Sequence, residues 1–308
     1  AGGAPASSRH GGGAVPRAPG RVLAYLRPSG PIPTQPGGAP MLDGFDPAHR
    51  VIRLAGPEAR DFLQGLVTND VAGAEGERAV YAALLTPQGK YLFDFIVLDD
   101  GEGGLLLDAA AEQAPPLAQR LALYRLRRKV EIAEAPLKVA LVWGEGAVPV
   151  PEGGRVVEDP RAEGLARRVY APEAPLAAVG ARDVGRAGWD ARRVAFAVPE
   201  AGVELTPDTF VLEAGFERLN GVDFRKGCFV GQEIVARMKH KAELRKGLVR
   251  VSVEGEAPAP GAAVETAEGK PAGALYTVAG GAGLAHLRFD RAEGELRAGE
   301  ARLHRADG

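Results

Sequence analysis

Cysteine is nearly absent from this chain: among 308 residues there is one, Cys228. An internal disulfide is therefore impossible, and with it a disulfide-stapled secreted fold. Cysteine-rich structural zinc is excluded as well, and one thiolate cannot hold a cubane cluster, which takes about four. Any metal carried through Cys228 needs ligands from another chain or a small molecule. Long apolar runs are also missing. Leu105–Leu107 and Val139–Trp143 are among the longest, far short of the ~20 residues a spanning helix needs, so no membrane association is expected. Neither sign of charge dominates: 38 Lys and Arg stand against 40 Asp and Glu. That balance argues against a chain that wraps nucleic acid as a whole, and direct nucleic-acid binding is not expected. There is no GxxxxGK[ST] loop and no HExxH pair, and Gly180, Gly185 and Gly188 do not follow a strand at dinucleotide-binding spacing.

Acids are missing altogether from residues 1–42, which hold four arginines (Arg9, Arg17, Arg21, Arg27) among many Gly and Pro. No apolar period survives there, so the stretch reads as a disordered tail, of which residues 1–40 can be removed without loss of stability. An upstream extension with Met41 as the natural start is the companion reading. Both are favoured over a transit peptide, which needs a better amphipathic helix. The expected location is a bacterial cytoplasm, with the mitochondrial matrix as the alternative if residues 1–42 are a transit peptide.

Ordinary globular proportions follow: 45% hydrophobic and 25% charged residues, enough for a sizeable core. Order is expected from about Arg50. Val51–Leu54 reads as a strand, and Gly56-Pro57 opens a helix whose Ala59, Phe62, Leu63 and Leu66 share a face. Two strands, Val80–Leu85 and Tyr91–Leu98, flank the tight turn Thr86-Pro87-Gln88-Gly89. Further strands are expected at Leu105–Asp108, Val130–Ile132 and Leu137–Trp143, and a helix near Pro116–Arg128. Residues 145–180 read as irregular. Helices are predicted at Arg182–Val198 and at Pro207–Leu219, the latter capped by Thr206. From Gly247 on, short strands between Gly turns predict a small β-barrel, with strands at Leu248–Val253, Ala274–Thr277, Gly283–Phe289 and Ala301–His304. The mixture points to an α+β fold, divided as tail 1-42, α+β region 43-240 with two subdomains, and barrel 241-308.

Chemistry concentrates in Asn220–Lys246. Cys228 lies two residues after Lys226, and a helix is predicted to begin at Gly231-Gln232-Glu233. A cysteine near a helix N-terminus and among cations favours the thiolate and is accessible to partners. The alternative is a small buried hydrophobe. The cluster Arg237, Lys239, His240, Lys241, Arg245 and Lys246 reads either as a solvated connector or as an anion site. Asp94 shares a strand face with Leu92, Ile96 and Leu98, so it is either satisfied by a local donor or kept for a ligand. Glu213 sits near Phe210 and Phe216 and could be a plain surface residue.

Lys226-Gly227-Cys228-Phe229-Val230-Gly231-Gln232-Glu233 resembles the KGC[YF]xGQE signature of YgfZ-type proteins, folate-binding relatives of the glycine-cleavage aminomethyltransferase that serve iron–sulfur protein maturation. Phe62-Leu63-Gln64-Gly65 with Thr68-Asn69-Asp70-Val71, Leu84–Lys90, Tyr124–Arg127 and Asp159-Pro160-Arg161 resemble further family blocks. The resemblance implies an aminomethyltransferase-like multi-domain ring with a C-terminal β-barrel, tetrahydrofolate as cofactor, and iron–sulfur client or assembly proteins as partners of a monomer. It implies Cys228 as the reactive group, with Lys226, Gln232, Glu233, Asp94, Glu213 and Arg237 in the folate site. An accessory factor is expected. The alternative is a folate-dependent aminomethyl- or methyltransferase using Asp94, but the strand reads Phe93-Asp94 where true transferases carry an acidic pair.

Overall fold

The computed structural model describes residues 41–240 and 244–306. Residues 1–40, most of the expected tail, and 241–243 in the connector lie outside the described residues. The chain runs β1 (Asp43–Phe45), β2 (His49–Ala55), helix α1 (Ala59–Gln64), β3 (Val80–Leu85), β4 (Tyr91–Asp99), β5 (Leu105–Ala110), α2 (Ala114–Arg125), β6 (Glu131–Ala135) and β7 (Lys138–Trp143). It continues through β8 (Arg155–Glu158), β9 (Arg167–Ala171), α3 (Pro175–Ala178), β10 (Arg182–Asp183), α4 (Gly185–Ala195) and α5 (Gln232–His240). The last six strands are β11 (Lys246–Glu254), β12 (Ala262–Thr266), β13 (Pro271–Ala279), β14 (Ala282–Arg288), β15 (Leu296–Ala298) and β16 (Ala301–Arg305).

Three sheets result. One is ordered β3-β4-β5-β2-β6, a second β10-β1-β7-β9-β8, and the last six strands close a barrel in the order β11-β14-β13-β12-β15-β16. Strand alternation explains the layering of the first sheet. Tyr81, Ala83 and Leu85 of β3 face the central core, while Val80, Ala82 and Leu84 face an outer core under α1 and α2. Every position of β3 is buried as a result, which is why its sequence is apolar throughout and not alternating. α1 contributes Ala59, Phe62 and Leu63 to the outer core, and α2 contributes Leu117 and Leu121. Burying one such leucine stabilises the fold by roughly 1.5–3 kcal/mol. The barrel encloses its own core of Val251, Val264, Leu275, Leu287, Leu296 and Leu303.

Several expectations need correction. β1 precedes the expected onset of order at Arg50 and pairs with both β7 and β10. The middle segment expected to be irregular holds β8 and β9, antiparallel partners in the second sheet. The helix predicted at Pro207–Leu219 is a succession of turns. Gly215 there adopts φ +81°, and Thr209 O accepts the Tyr91 amide at 2.9 Å. Pairing with β4 has replaced the helical ladder. β12 and β15 add two barrel strands too short to show a pattern of their own. No helix among the described residues is long and apolar enough to cross a membrane.

A buried ion pair joins the barrel to the body. Arg193 of α4 donates to Glu204 Oε2 at 2.9 Å and to the hydroxyl of Thr277 in β13. Glu204 also accepts from that hydroxyl at 2.7 Å and from the Glu200 amide at 3.0 Å. Removing one partner of such a pair strands the other charge out of water. Glu204→Ala is expected to destabilise the protein by about 3 kcal/mol in chemical denaturation, and Glu204→Gln by less, because the amide keeps part of the hydrogen bonding.

Candidate functional site

The first and second sheets face each other across a cleft. Its walls include Tyr81 from β3, Asp94 from β4, Asp108 from β5, Arg168 from β9, Arg161 from the β8–β9 loop, and Trp189 and Arg193 from α4. At its floor Asp108 accepts from Tyr170 Oη at 2.7 Å and from Arg168 Nη1, and lies 2.6 Å from His49 Nδ1. Asp159 takes Arg161 Nε and Nη2 at 2.9 and 2.7 Å and Arg168 Nε at 2.9 Å. Arg168 thus lies between two carboxylates, all of them buried.

Asp94 has both oxygens engaged: Tyr81 Oη donates at 2.9 Å and Tyr91 Oη at 2.6 Å. Burial first, then the Asp94 charge, pushes both phenols up, so they stay protonated donors. Of the two readings of Asp94, local satisfaction is what the geometry shows. The Arg161 guanidinium lies 5.7 Å from the Tyr81 ring centre and 5.9 Å from that of Trp189, and Tyr81 stacks on Phe216 at 4.8 Å. Among the described residues no buried side-chain polar atom lacks a partner. The cleft encloses about 530 Å³ of interatomic space including its open mouth. Its carboxylate, guanidinium and aromatic faces are the kinds of group that hold a flat polar ring.

Cys228 is elsewhere and is exposed. The loop carrying it is fastened on three sides. Lys226 turns inward: its Nζ donates to Gln64 O at 2.7 Å and Val67 O at 2.5 Å, at the end of α1. Desolvation, outweighing Asp70 and Asp223, lowers this amine to about 8. Thr68 Oγ1 donates to Gly221 O at 2.7 Å and accepts the Ala83 amide at 2.9 Å, while Asn69 Nδ2 bridges Tyr81 O and Asn220 O at 2.8 and 2.6 Å. Beyond the cysteine, Gly231 and Gly89 meet back to back, at φ +83° and +74°. A Cβ on Gly231 would lie 2.6 Å from Thr86 O and 3.0 Å from Gly89 Cα, so both space and backbone conformation require glycine. Helix α5 begins at Gln232, with Val235 buried and Met238 packed on the central core.

Most of the expected folate residues are therefore scattered. Asp94 alone lines the cleft. Lys226 braces the cysteine loop with its amine aimed away from solvent. Gln232 and Glu233 stand in the first turn of α5, where Glu233 pairs with Arg237 at 3.0 Å on the surface. Glu213 is not a helix residue: its carboxylate lies 3.3 Å from Lys246 Nζ and 3.7 Å from His286 Nε2, and its carbonyl accepts the Leu248 amide at 2.7 Å. It anchors the barrel. Missing from the expectation were His49, Asp108, Arg168 and Arg193. The available signal was an acid, Asp108, closing the otherwise apolar strand Leu105–Leu107.

Burial alone would raise the carboxyls of Asp108 and Asp159, but Arg168 beside the first and Arg161 and Arg168 beside the second hold both well below the usual carboxylate range. Their folded values lie below the unfolded ones. The stabilisation is thus complete above the unfolded value near pH ~4 and is lost as pH falls toward the folded values. Denaturation midpoints measured from pH 6 to 2 should hold steady to about pH 5 and drop steeply below ~4, and Asp108→Asn should flatten that drop.

Residues 245–306 match the family model described as CAF17, C-terminal beta-barrel domain. The chain is 34% identical to the iron-sulfur cluster assembly factor IBA57, mitochondrial, of Homo sapiens, over 85% of this chain and 83% of that one. It is 32% identical to the Mus musculus protein of the same name, over 80% and 77%, and 28% identical to a homolog from Phaeosphaeria nodorum, over 79% and 69%. The glycine cleavage system aminomethyltransferase T from Bartonella henselae superposes with a TM-score of 0.72 at 17% identity, covering 87% of this chain and 85% of that one. That likeness shows the aminomethyltransferase-like fold expected from the sequence. The human and mouse matches replace the YgfZ-type resemblance with a neighbouring assignment: the chain belongs to the IBA57 family of iron–sulfur cluster assembly factors.

Proposed function

We propose that this protein serves iron–sulfur cluster assembly by lending Cys228 as one thiolate to iron or sulfur held jointly with a partner chain. The observation behind this reading is an exposed cysteine on a loop braced by Lys226, by Thr68 and Asn69, and by the Gly89–Gly231 contact. Among the described residues no three His, Cys, Asp or Glu side chains gather to hold a metal. One thiolate then supplies a single ligand, and the remaining ligands must come from outside the chain. A rigid loop is what sharing requires, because a ligand placed in advance loses little freedom when the partner arrives. The relatives named as mitochondrial support the matrix over a bacterial cytoplasm as the place of action.

The test is complementation of a strain lacking its own family member, scored by [4Fe–4S] enzyme activity. Cys228→Ala and Cys228→Ser are expected to fall to the empty-vector level while melting within 1–2 °C of wild type, since an exposed side chain contributes about 0.5 kcal/mol or less. Wild-type activity in both variants would remove Cys228 from the function.

The folate-dependent transferase is the second reading, and it would need the Asp94 carboxylate, which accepts from two phenols here, to be released for the substrate. Tetrahydrofolate binding belongs to this proposal as well, and saturating tetrahydrofolate is expected to raise the melting midpoint. Binding at a hundredfold excess over Kd adds about 2.7 kcal/mol, and an unmoved melting curve would remove folate from the reading.

A further inference from the structure

The end of α2 carries a surface that the cysteine loop does not account for. From Ala114 to Val130 the chain has five cations, Arg120, Arg125, Arg127, Arg128 and Lys129, and no acid, although the whole protein has a net charge of -2. Arg128 reaches Glu58 only at 3.9 Å, and Arg125 donates to Val130 O at 3.4 Å. Among the described residues, the side chains of Arg120, Arg127 and Lys129 are seen in no ion pair or hydrogen bond. Two leucines stand among them, Leu123 at 69% and Leu126 at 84% exposed. Leu126 also holds φ +49° and ψ −112°, the region of the first central residue of a type II′ turn, which glycine fills and L-residues avoid. Its exposed side chain gains no core burial to offset that strain. Strain without a structural return points to function.

The place of this surface ties it to Cys228. The Lys129 amide donates to Glu58 Oε2 at 2.7 Å, just before α1. At the other end of α1, six residues or ~9 Å on, Gln64 O receives Lys226. The basic turn and the cysteine loop are thus fastened to opposite ends of one short helix. We propose that Leu123, Leu126 and the surrounding cations form the docking surface for a partner protein whose face is acidic around an apolar pocket, and that docking there presents the partner's ligands to Cys228. This rests on the reading of Cys228 as a shared ligand. A protein fits better than nucleic acid because the prominent side chains are aliphatic, and the one aromatic, Tyr124, is partly buried against the outer core. It fits better than a lipid surface because the shared-ligand reading already brings a partner chain to Cys228, at the other end of the same helix.

The probe is a fluorescein-labelled helical peptide of repeated Leu and Glu, titrated by anisotropy at 0.15 M salt against the full chain, with a 20-nucleotide single-stranded RNA and phosphatidylglycerol vesicles as the competing classes. Leu126→Gly and Arg127→Glu should each weaken peptide binding at least tenfold. Leu126→Gly should melt at or above wild type, because glycine relieves the strain. Equal peptide binding by wild type and both variants overturns the proposal, as does RNA or vesicle binding without peptide binding. In complementation the double variant should lose activity while Cys228 reacts with iodoacetamide at the wild-type rate; full activity overturns it. The two readings separate cleanly. If Cys228→Ala complements fully while the patch variants lose the peptide, the shared-ligand reading fails and a docking surface remains. If Cys228→Ala is inactive and the patch variants behave as wild type in both assays, the docking surface alone fails.

Discussion

Arg168 is the residue on which the centre of this protein depends. Its guanidinium joins Asp108 of the first sheet to Asp159 beside the second, with every group buried. Such a pair is a weak source of net stability, since taking the charges out of water costs about as much as their attraction returns. Its effect is geometric. With Asp108, Asp159, Tyr170 and Arg161 all satisfied in one arrangement, the two sheets meet in one register, and another would leave a charge buried without a partner. An apolar interface would tolerate sliding; this one does not.

The consequence travels outward through packed groups. Asp159 fixes Arg161, Arg161 lies over the rings of Tyr81 and Trp189, and Tyr81 presses on Phe216 and donates to Asp94. The same strand, β3, presents Tyr81 O to Asn69 and the Ala83 amide to Thr68, the two residues that hold 220–221 in place. The cysteine loop is therefore an extension of the central network and not an appendage on it. A group meant to complete another protein's ligand set has to be both exposed and still, and exposure alone would leave Cys228 on a floppy loop.

What could be read in advance follows from where the determining contacts lie. The hairpin 80–98, the helix beginning at Gln232 and the closing barrel declare themselves in local pattern: a Pro-Gly turn, a glycine before a polar helical turn, short strands between glycines. The motif around Cys228 was likewise legible as a unit. Residues 207–219 misled because Thr206-Pro207 is a sound helix opening, and only the pull of β4 on Thr209 and Phe210 diverts it. Strands β8 and β9 were hidden because Arg167 and Arg168 do not suggest a buried strand until Asp108 and Asp159 are known to face them. Lys226 was read as a cation for the thiol and proved to be a brace, since nothing local says that Gln64 O and Val67 O lie beneath it.

The fold is shared with an aminomethyltransferase, and it sets a polar cleft between the first and second sheets. An enzyme that binds its substrate there needs polar groups held ready and space to receive it. Here the polar groups are occupied by one another: Asp94 by two phenols, Arg161 by Asp159, Arg193 by Glu204. The one cysteine of the chain stands apart from that network, exposed on a loop that the same network braces. The cleft and the exposed cysteine are two sides of one arrangement: the interactions that occupy the centre are the ones that brace the loop carrying Cys228.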